Sequence, residues 1–374
     1  MAENIKTRKI MLSGGGSGGP VAPLLVLAEE LLKDNSGLEI IFVGTSYGPE
    51  RKMISTFSEH QKKIKFIPII SGKWRRYFSI YNFLDVFKII MAFFQSLFIL
   101  LLEKPNLVIS AGGFVSVPLV WAAHFINIPI LIHQQDVRPG LANRLMSKMA
   151  RVITVTFEKS LLDYGAKAVL VGNPTKKIII NENNGALQEL REKYHLDKNQ
   201  AFLFIFGGMT GALGINNLVF KSRDELIKQF QIIHLCGRGK FPHPESKNYS
   251  DYQYQVFESL NNNDFLSLIS IADLIVSRAG LGSLSDLSVL EKPAIIIPIP
   301  DSHQEDNAEM LTQTGAALVL SQKELTPEKF VLEIEKLFVD KARQERMRNN
   351  IKKIIKPGAG EKLAGIVWEI INTK

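Results

Sequence analysis

Four glycine-containing segments, each directly after an apolar run, carry residue types that bind phosphorylated ligands. They are residues 13–20 (SGGGSGGP), 110–118 (SAGGFVSVP), 206–212 (FGGMTGA) and 277–283 (SRAGLGS). Glycine lets a backbone approach a ligand closely, and amides at a helix N-terminus or in such a turn bind anions. The alternative for any one segment is a tight strand–helix turn without a ligand, but four in one chain favour an anionic ligand.

The first segment does not fit two common nucleotide motifs. No lysine follows its glycines, so the phosphate-binding loop of nucleoside triphosphatases is absent. Gly14, Gly16 and Gly19 fit the dinucleotide spacing, but no acidic residue ends the next predicted strand at residues 42–45. A nicotinamide cofactor is therefore disfavoured.

The stretch from residue 277 to residue 307 carries the richest polar chemistry. Arg278 can neutralise a phosphate beside a helix N-terminus, and Asp286, one turn into that helix, can accept both hydroxyls of a ribose. Gln304 and Asn307 are three residues apart, so one helix face can present both to a sugar. The alternative for this stretch alone is a capped helix beside a polar loop.

Composition narrows the classes of partner. The chain has 374 residues and a net charge of +8, so two domains and an anionic partner are expected. Zinc-finger spacing and basic blocks are missing, which disfavours nucleic acid and leaves phosphorylated substrates and anionic membranes. The single cysteine, Cys236, fits a reducing compartment. The apolar residues 10–12 are too few for a signal-peptide core, so we expect a cytoplasmic protein.

Short apolar strands alternate with helical segments in both halves of the chain, and the pattern restarts after Asn173-Pro174. This alternation predicts an α/β protein with two doubly wound, Rossmann-like domains facing each other across a cleft that holds the ligands. We expect an N-terminal domain over residues 1–174 and a C-terminal domain over residues 175–359. Residues 360–374 are expected to form a helix that packs back on the first domain.

Residues 86–102 (VFKIIMAFFQSLFILLL) reach the lower length limit for a membrane span. Because Lys88 and Gln95 interrupt this run, we expect a buried helix that covers the sheet. Upstream, residues 73–78 (KWRRYF) combine basic and aromatic side chains, which suits an anionic membrane surface. The alternative for these residues is a solvated loop before a core helix.

Several motifs, in order and with similar spacing, resemble the MurG family of UDP-N-acetylglucosamine (UDP-GlcNAc) transferases, which convert lipid I to lipid II in peptidoglycan synthesis. They are AGGFVSVP, HQQD with GLANR, GNP, GGMTGALGIN, and SRAGLGSLSD with HQEDNA, within about residues 8–320. The resemblance implies the GT-B fold, no cofactor and no metal. It also implies UDP-GlcNAc as donor, an undecaprenyl-diphosphate-linked acceptor, and a peripheral position on the cytoplasmic face of the plasma membrane.

The resemblance assigns roles to individual positions in the second domain. Asp286 matches the family's ribose-binding glutamate, one methylene shorter, and Gln304 and Asn307 match residues that read the N-acetylglucosamine. Met209 stands where the family usually has a phosphate-contacting serine, so that side-chain contact is lost. Arg278 and the backbone of Leu281, Gly282 and Ser283 match the family's diphosphate-binding turn, and Gly208 and Met209 complete the expected donor-binding positions.

In the first domain the resemblance implies a pocket for the lipid-linked diphosphate. Lys176 stands near the family's arginine after its Asn-Pro. The expected acceptor-binding positions are Ser17, Gly18, Gly19, Gly112, Gly113, Asn143 and Lys176.

Two departures from the family pattern concern proton transfer. Pro20 stands where the family usually has a histidine proposed as the base, and Asp136 stands where its HEQN motif has asparagine. Since proline cannot take a proton, we hypothesise that Asp136 or His133 is the catalytic base. A lone histidine such as His133 is more often structural.

Three other functions remain open from the sequence. One is a related GT-B glycosyltransferase with another lipid acceptor, such as diacylglycerol. Another is a non-catalytic UDP-sugar-binding subunit, suggested by Pro20 and Met209. The last is a nucleotide-sugar epimerase, since such enzymes share this fold.

Overall fold

The computed structural model describes residues 8–33, 37–60, 64–72, 80–175, 184–208, 210–241, 250–356 and 358–373. The chain divides into two compact units. Unit 1 comprises Met1–Lys176 and Lys356–Lys374, and unit 2 comprises Lys177–Ile355. Each unit contains its own sheet of seven strands.

Unit 1 is built on a parallel sheet with the strand order β3-β2-β1-β4-β5-β6-β7. The order reverses between β1 and β4, which is the point where ligands bind in such sheets. The strands are β1 (Arg8–Ser13), β2 (Leu38–Thr45), β3 (Lys65–Ile69), β4 (Leu107–Ser110), β5 (Ile130–Gln134), β6 (Val152–Val155) and β7 (Ala168–Leu170). The helices are α1 (Ala22–Lys33), α2 (Pro49–His60), α3 (Ile80–Glu103), α4 (Ser116–Phe125), α5 (Leu141–Ser147), α6 (Leu161–Tyr164) and the last helix of the chain, α14 (Ala359–Asn372).

Apolar cores lie on both faces of the unit 1 sheet, as the near-continuous apolar strands require. One core includes α1, α2 and α14, and the other includes α3, α4 and α5. Helix α14 packs closely on α1, because a Cβ added at Gly360 would lie 3.3 Å from a methyl of Val26. Arg8 in β1 lies over the ring of Trp368, 5.7 Å from its centroid.

The expectation that residues 86–102 form a buried helix is wrong. Only 22% of the apolar window in Asp85–Glu103 is buried, and by length and composition it is the one helix in the described part of the chain that could cross a membrane. A narrow side with Ala92, Ser96 and Leu100 packs into the unit. The opposite side exposes Phe87, Ile90, Met91, Phe94, Phe98, Leu101 and Leu102. Since α3 connects β3 and β4 of one sheet, it lies along the surface of unit 1.

Unit 2 has the strand order β10-β11-β9-β8-β12-β13-β14, and in the described residues only β10 runs antiparallel to its neighbour. Its strands are β8 (Ala201–Phe206), β9 (Phe230–Leu235), β10 (Ser250–Asp251), β11 (Tyr254–Phe257), β12 (Leu274–Ser277), β13 (Ala294–Ile296) and β14 (Leu318–Val319). Its helices are α7 (Asn184–Lys193), α8 (Leu213–Leu226), α9 (Asn262–Ile271), α10 (Leu281–Val289), α11 (His303–Thr314), α12 (Pro327–Val339) and α13 (Lys341–Ile351). The strand order reverses between β8 and β12, and the expected class of two doubly wound α/β units is confirmed.

Candidate functional site

The glycine turn of unit 2 (residues 207–211) connects β8 to α8 at the reversal point of the sheet. Gly208 and Gly211 have φ values of +81° and +70°, a region that disfavours other residues. The turn is closed by a bond from the Gly211 amide to the Gly208 carbonyl, 3.0 Å long. A Cβ at Gly207 would clash with the Ala212 backbone. Met209 lies outside the described residues.

Arg278 follows β12, the strand next to β8, and its side chain is almost fully buried. Its Nη1 donates to the carbonyls of Ile297 (3.0 Å) and Pro298 (2.9 Å). In the described part of the chain, no carboxylate forms an ion pair with this guanidinium, and its Nε is buried without a partner. Burial lowers the pKa of Arg278. The arrangement therefore fixes a cation without a countercharge, which suits an anionic ligand.

Gln322, which the sequence analysis missed, connects Arg278 to the first turn of α8. It lies in a short 3-10 helix, Gln322–Glu324, and its Oε1 accepts a bond of 2.6 Å from Arg278 Nη2. The same oxygen lies 2.6 Å from the position that a Cβ on Gly214 would take, in the first turn of α8. The guanidinium and the N-terminus of α8 are therefore brought together at one edge of the sheet.

The N-terminus of α10 lies directly after Arg278. Leu284 donates the first intrahelical bond to the Gly280 carbonyl, so the amides of residues 281–283 precede the hydrogen-bonded part of the helix. Asp286 is partly exposed one turn further on, and a Cβ at Gly282, four residues before it, would meet only open space. Burial of the carboxyl group raises the pKa of Asp286 to about 7, because it disfavours the charged form. A carboxylate at this position can accept hydrogen bonds from hydroxyl groups.

Gln304 and Asn307, the two candidate sugar-binding residues of α11, both contact the β12–α10 turn. Gln304 Oε1 accepts from the Ile299 amide (3.2 Å), and its Nε2 lies 3.7 Å from the position of a Cβ on Gly280. Asn307 is fully buried and donates from Nδ2 to the Ala279 carbonyl (3.0 Å). The structure therefore brings both side chains to the β12–α10 turn, with the Asn307 amide bonded to its backbone.

In unit 1 the two glycine loops pack back to back. Gly113 has a φ of +92°, and a Cβ there would clash with the Gly15 backbone. Gly112 has a φ of +100° and faces the Asn143 side chain, whose Oδ1 is buried without a partner among the described residues. In the first loop, Ser17 and Gly19 are exposed and Gly18 is buried. Lys176, the remaining candidate, lies outside the described residues.

The two candidate bases differ in accessibility. His133 lies in β5 with no exposed surface, and its Nδ1 is 3.1 Å from Thr154 Oγ1. Burial lowers the pKa of His133 to about 4, opposed by the neighbouring Asn173 side chain, so the ring is a weak base that is neutral at pH 7. Asp136 follows the strand and is only partly buried. Accessibility therefore favours Asp136 for contact with a substrate.

Gln134, between these two residues, holds the loop that carries Asp136. Its Nε2 donates to the carbonyls of Asp136 (2.7 Å) and Arg138 (3.3 Å). Its Oε1 accepts from Asn143 Nδ2 (2.6 Å) and from the Tyr164 hydroxyl (3.1 Å). A glutamate could not make both donations, so the amide fixes this loop. The described residues contain no group of three or more His, Cys, Asp or Glu side chains arranged to hold a metal ion.

Comparison with protein families gives two matches. Residues 10–155 match the glycosyltransferase family 28 N-terminal domain, and residues 202–361 match the glycosyltransferase family 28 C-terminal domain. Together the two matches cover most of both units.

Two relatives match over nearly their full lengths. The UDP-N-acetylglucosamine–N-acetylmuramyl-(pentapeptide) pyrophosphoryl-undecaprenol N-acetylglucosamine transferase of Clostridium kluyveri is 37% identical over 361 residues, covering 93% of this chain and 98% of that protein. The protein of the same name from Staphylococcus aureus is 34% identical over 353 residues, covering 92% and 94%.

Solved structures agree on the fold. Acinetobacter baumannii MurG superposes with a TM-score of 0.72 at 22% identity, covering 97% of this chain and 99% of that one. The S. aureus MnaA–UDP structure gives 0.70 at 16% identity, covering 98% of both chains. Neisseria meningitidis UDP-GlcNAc 2-epimerase bound to UDP-GlcNAc gives 0.71 at 15%, covering 97% and 100%. These likenesses confirm the predicted GT-B fold and, at such low identity, the fold alone.

Proposed function

Because this chain belongs to the MurG family within glycosyltransferase family 28, we propose that it transfers N-acetylglucosamine from UDP-GlcNAc to lipid I, which gives lipid II in peptidoglycan synthesis. The observation that carries this function is the 37% identity to the C. kluyveri transferase across 98% of that protein. The reaction is a displacement with inversion at the anomeric carbon. The acceptor oxygen forms a bond to that carbon, and the bond to UDP breaks.

Residues 175–359 bind the donor in this proposal. The Arg278 guanidinium, the amides of residues 281–283 and the glycine turn hold the diphosphate, supported by the missing countercharge at Arg278. The same groups stabilise the charge that develops on departing UDP. Gln304 reads the sugar from the edge of the β12–α10 turn, while Asn307 keeps that turn in place.

Asp286 binds the ribose of the donor. The residue is partly exposed and lies one turn after Gly282, where an added Cβ would meet no atom within 4 Å, and this open position supports the assignment. The ionised carboxylate accepts both ribose hydroxyls, and each such bond favours the ionised form. In the protein without donor, the pKa of Asp286 is about 7. Donor binding at neutral pH therefore shifts Asp286 toward its ionised form.

Residues 1–174 bind the acceptor in this proposal. The two glycine loops pack together through Gly15 and Gly113, and Ser17 and Gly19 of the first loop are exposed. With the buried Gly18 and with Gly112 and Gly113 of the second loop, they are the positions proposed to hold the lipid-linked diphosphate. Asn143 contributes its buried, unpaired Oδ1 beside Gly112. Lys176, which follows Asn173-Pro174 in the sequence, adds a positive charge.

Asp136 is the general base of the proposed reaction. It takes the proton of the acceptor hydroxyl as the new glycosidic bond forms, a role worth about 10²–10⁴ in rate. Its partly exposed position supports this role over His133, whose ring is fully buried. Gln134 keeps the Asp136 loop in one conformation.

The exposed side of α3 binds the membrane that carries the acceptor. Its aromatic and aliphatic side chains form an apolar patch continued by Phe125, whose ring lies 6.2 Å from that of Phe93. A lipid surface is the occupant that fits, because the proposed acceptor is itself anchored in a bilayer. The net charge of +8 favours an anionic leaflet, and the protein is peripheral on the cytoplasmic face. The basic stretch at residues 73–78 lies outside the described residues.

Acceptor dependence tests the proposed function. Purified protein is incubated with UDP-GlcNAc alone, with lipid I, or with diacylglycerol, and UDP release and lipid products are measured. Lipid II and UDP should form together, and only with lipid I. Formation of glycosylated diacylglycerol would show that the acceptor is diacylglycerol and not lipid I. Release of free or epimerised sugar without an acceptor would indicate an epimerase-like enzyme. No donor turnover in any mixture would indicate a binding subunit.

A further inference from the structure

A buried chain of hydrogen bonds lies behind the glycine turn of unit 2. It joins Tyr254 in β11, His234 in β9 and Asn216 in α8, which are all 1% exposed or less. His234 Nδ1 lies 2.9 Å from the Tyr254 hydroxyl, and His234 Nε2 lies 3.1 Å from Asn216 Oδ1. Asn216 Nδ2 donates to the carbonyls of Cys236 and Lys240, both at 2.8 Å.

The two carbonyls that accept from Asn216 Nδ2 determine which atom donates in each hydrogen bond of this network. Because Asn216 Nδ2 faces two carbonyls, Oδ1 must be the atom that accepts from His234. The proton of the neutral imidazole is therefore on Nε2, and Nδ1 accepts from the Tyr254 hydroxyl. Burial lowers the pKa of His234 to about 3, so the ring remains neutral at physiological pH. No other tautomer satisfies these contacts.

The network fixes a loop, residues 236–240, that supports the glycine turn. Asn216 holds the loop at both ends through the Cys236 and Lys240 carbonyls. A Cβ at Gly237 would lie 2.6 Å from the Thr210 carbonyl, and one at Gly211 would clash with the Cys236 carbonyl. The two backbones are thus in direct contact, and a displacement of the loop must displace the turn.

The Lys240 side chain also bonds directly to the glycine turn. While its carbonyl accepts from Asn216, its Nζ donates to the Gly211 carbonyl at 3.1 Å. This bond places an ammonium group beside a turn whose amides suit phosphate. The loop therefore supports the turn mechanically and adds positive charge next to it.

We propose, on the basis of the function proposed above, that Tyr254, His234 and Asn216 are positioning residues for the donor diphosphate, acting through loop 236–240 on the glycine turn. The network contacts neither substrate itself. Its loss should weaken binding of the nucleotide diphosphate and raise the KM for the donor, while the KM for the lipid acceptor stays unchanged. A role in stability alone would lower the melting temperature and leave the affinity for UDP unaltered.

Calorimetric titration with UDP tests this proposal on the full chain. Asn216→Asp keeps the size and the acceptor for His234 but removes both donations to the loop carbonyls. We expect its Kd for UDP to rise about tenfold or more, since buried carbonyls lose their donors. Lys240→Met should raise the Kd by about three- to tenfold through loss of one charged hydrogen bond. The matched controls are the exposed Asn199→Asp and, on α8, the exposed Lys221→Met.

Tyr254→Phe provides a milder test that does not depend on Asn216→Asp folding. It removes only the hydroxyl that donates to His234, with no change of charge. An increase in the Kd for UDP in this variant and in Lys240→Met, with controls unchanged, supports the proposal. Wild-type Kd in both variants overturns it. Failure of the wild-type protein to bind UDP would instead overturn the proposed function, so the two failures are distinguishable.

Discussion

Arg278 and Gln322 are joined by a hydrogen bond of 2.6 Å from a guanidinium nitrogen to an amide oxygen. Because the acceptor is a neutral amide oxygen, Gln322 holds the guanidinium in place without neutralising its positive charge. Gln322 also packs against Gly214 at the start of α8. This pair therefore keeps a cation available for an anionic ligand at the edge of the unit 2 sheet.

Gln322→Glu should weaken donor binding although it changes only one group. The new carboxylate would pair with Arg278 and compete with the diphosphate for its charge. We expect the KM for UDP-GlcNAc to rise about tenfold, the effect of one charge-assisted bond. Steady-state kinetics measure this, with Gln313→Glu on the exposed side of α11 as a matched control. An unchanged KM would mean that Arg278 does not bind the diphosphate.

Donor binding should depend on pH through Asp286. Its pKa of about 7 lies above its ordinary value, so the carboxyl is protonated in a large fraction of molecules below neutrality. Because the ionised form accepts the ribose hydroxyls, the KM for UDP-GlcNAc should fall as pH rises from 6 to 8. Kinetics at fixed ionic strength measure this, and Asp286→Asn should give a higher KM that no longer varies over this range. A wild-type KM independent of pH would contradict the assignment.

The same shift has a consequence for stability. The folded protein holds a proton on Asp286 over a pH range where the unfolded chain has lost it, between about 4 and 7. The contribution of this group to the free energy of unfolding therefore decreases as pH rises through that window. Chemical denaturation of wild type and Asp286→Asn should show their stability difference shifting in favour of the variant toward pH 7. A difference that does not vary with pH would disprove the shift.

Asp136→Asn should reduce kcat about 10²- to 10⁴-fold with little change in the KM for the donor, because the variant lacks the base but keeps the donor site. Single-turnover transfer to lipid I measures the chemical step. Asp163→Asn, exposed on α6, is the control. His133→Ala should act mainly on stability, since the ring is buried. Near wild-type turnover in both the Asp136 and His133 variants would exclude both residues as the base.

Replacing Phe94, Phe98 and Leu102 by serine should release the protein from membranes. These side chains are 62%, 63% and 65% exposed, so the change removes apolar contact with lipid at little cost to the fold. Cosedimentation with vesicles containing phosphatidylglycerol measures the bound fraction, which should fall several-fold. Leu332→Ser and Val339→Ser on α12 are controls. Equal binding of the triple variant and wild type would exclude α3 as the membrane surface.

The sequence predicted those parts of the fold and site that depend on local patterns. Glycines after apolar strands identified the turns at Gly207 and Gly280, because the carboxyl ends of parallel strands are where such turns bind ligands. Asp286 was identified as a candidate ribose ligand because it lies one turn into the predicted helix after Gly280. Gln322, His234 and Tyr254 could not be predicted, because their partners lie far away in sequence and their own segments carry no motif.

Helix α3 shows a second limit of sequence analysis. A largely apolar helix has the same pattern whether its outer side meets other protein or lipid. Periodicity alone therefore could not distinguish Phe98, which is exposed, from Leu100, which is buried. His133 shows a related limit, because its motif did not reveal that the ring lies beneath the surface.

The recognition of a diphosphate by Arg278 and the glycine turn is tested most directly by comparing UDP with UMP in calorimetric titrations. The account predicts that wild type binds UDP about tenfold or more tightly than UMP, because the second phosphate reaches these groups. In Arg278→Lys, which keeps the charge but loses the planar fork, this ratio should fall toward one. Equal affinities for UDP and UMP in the wild-type protein would contradict the account.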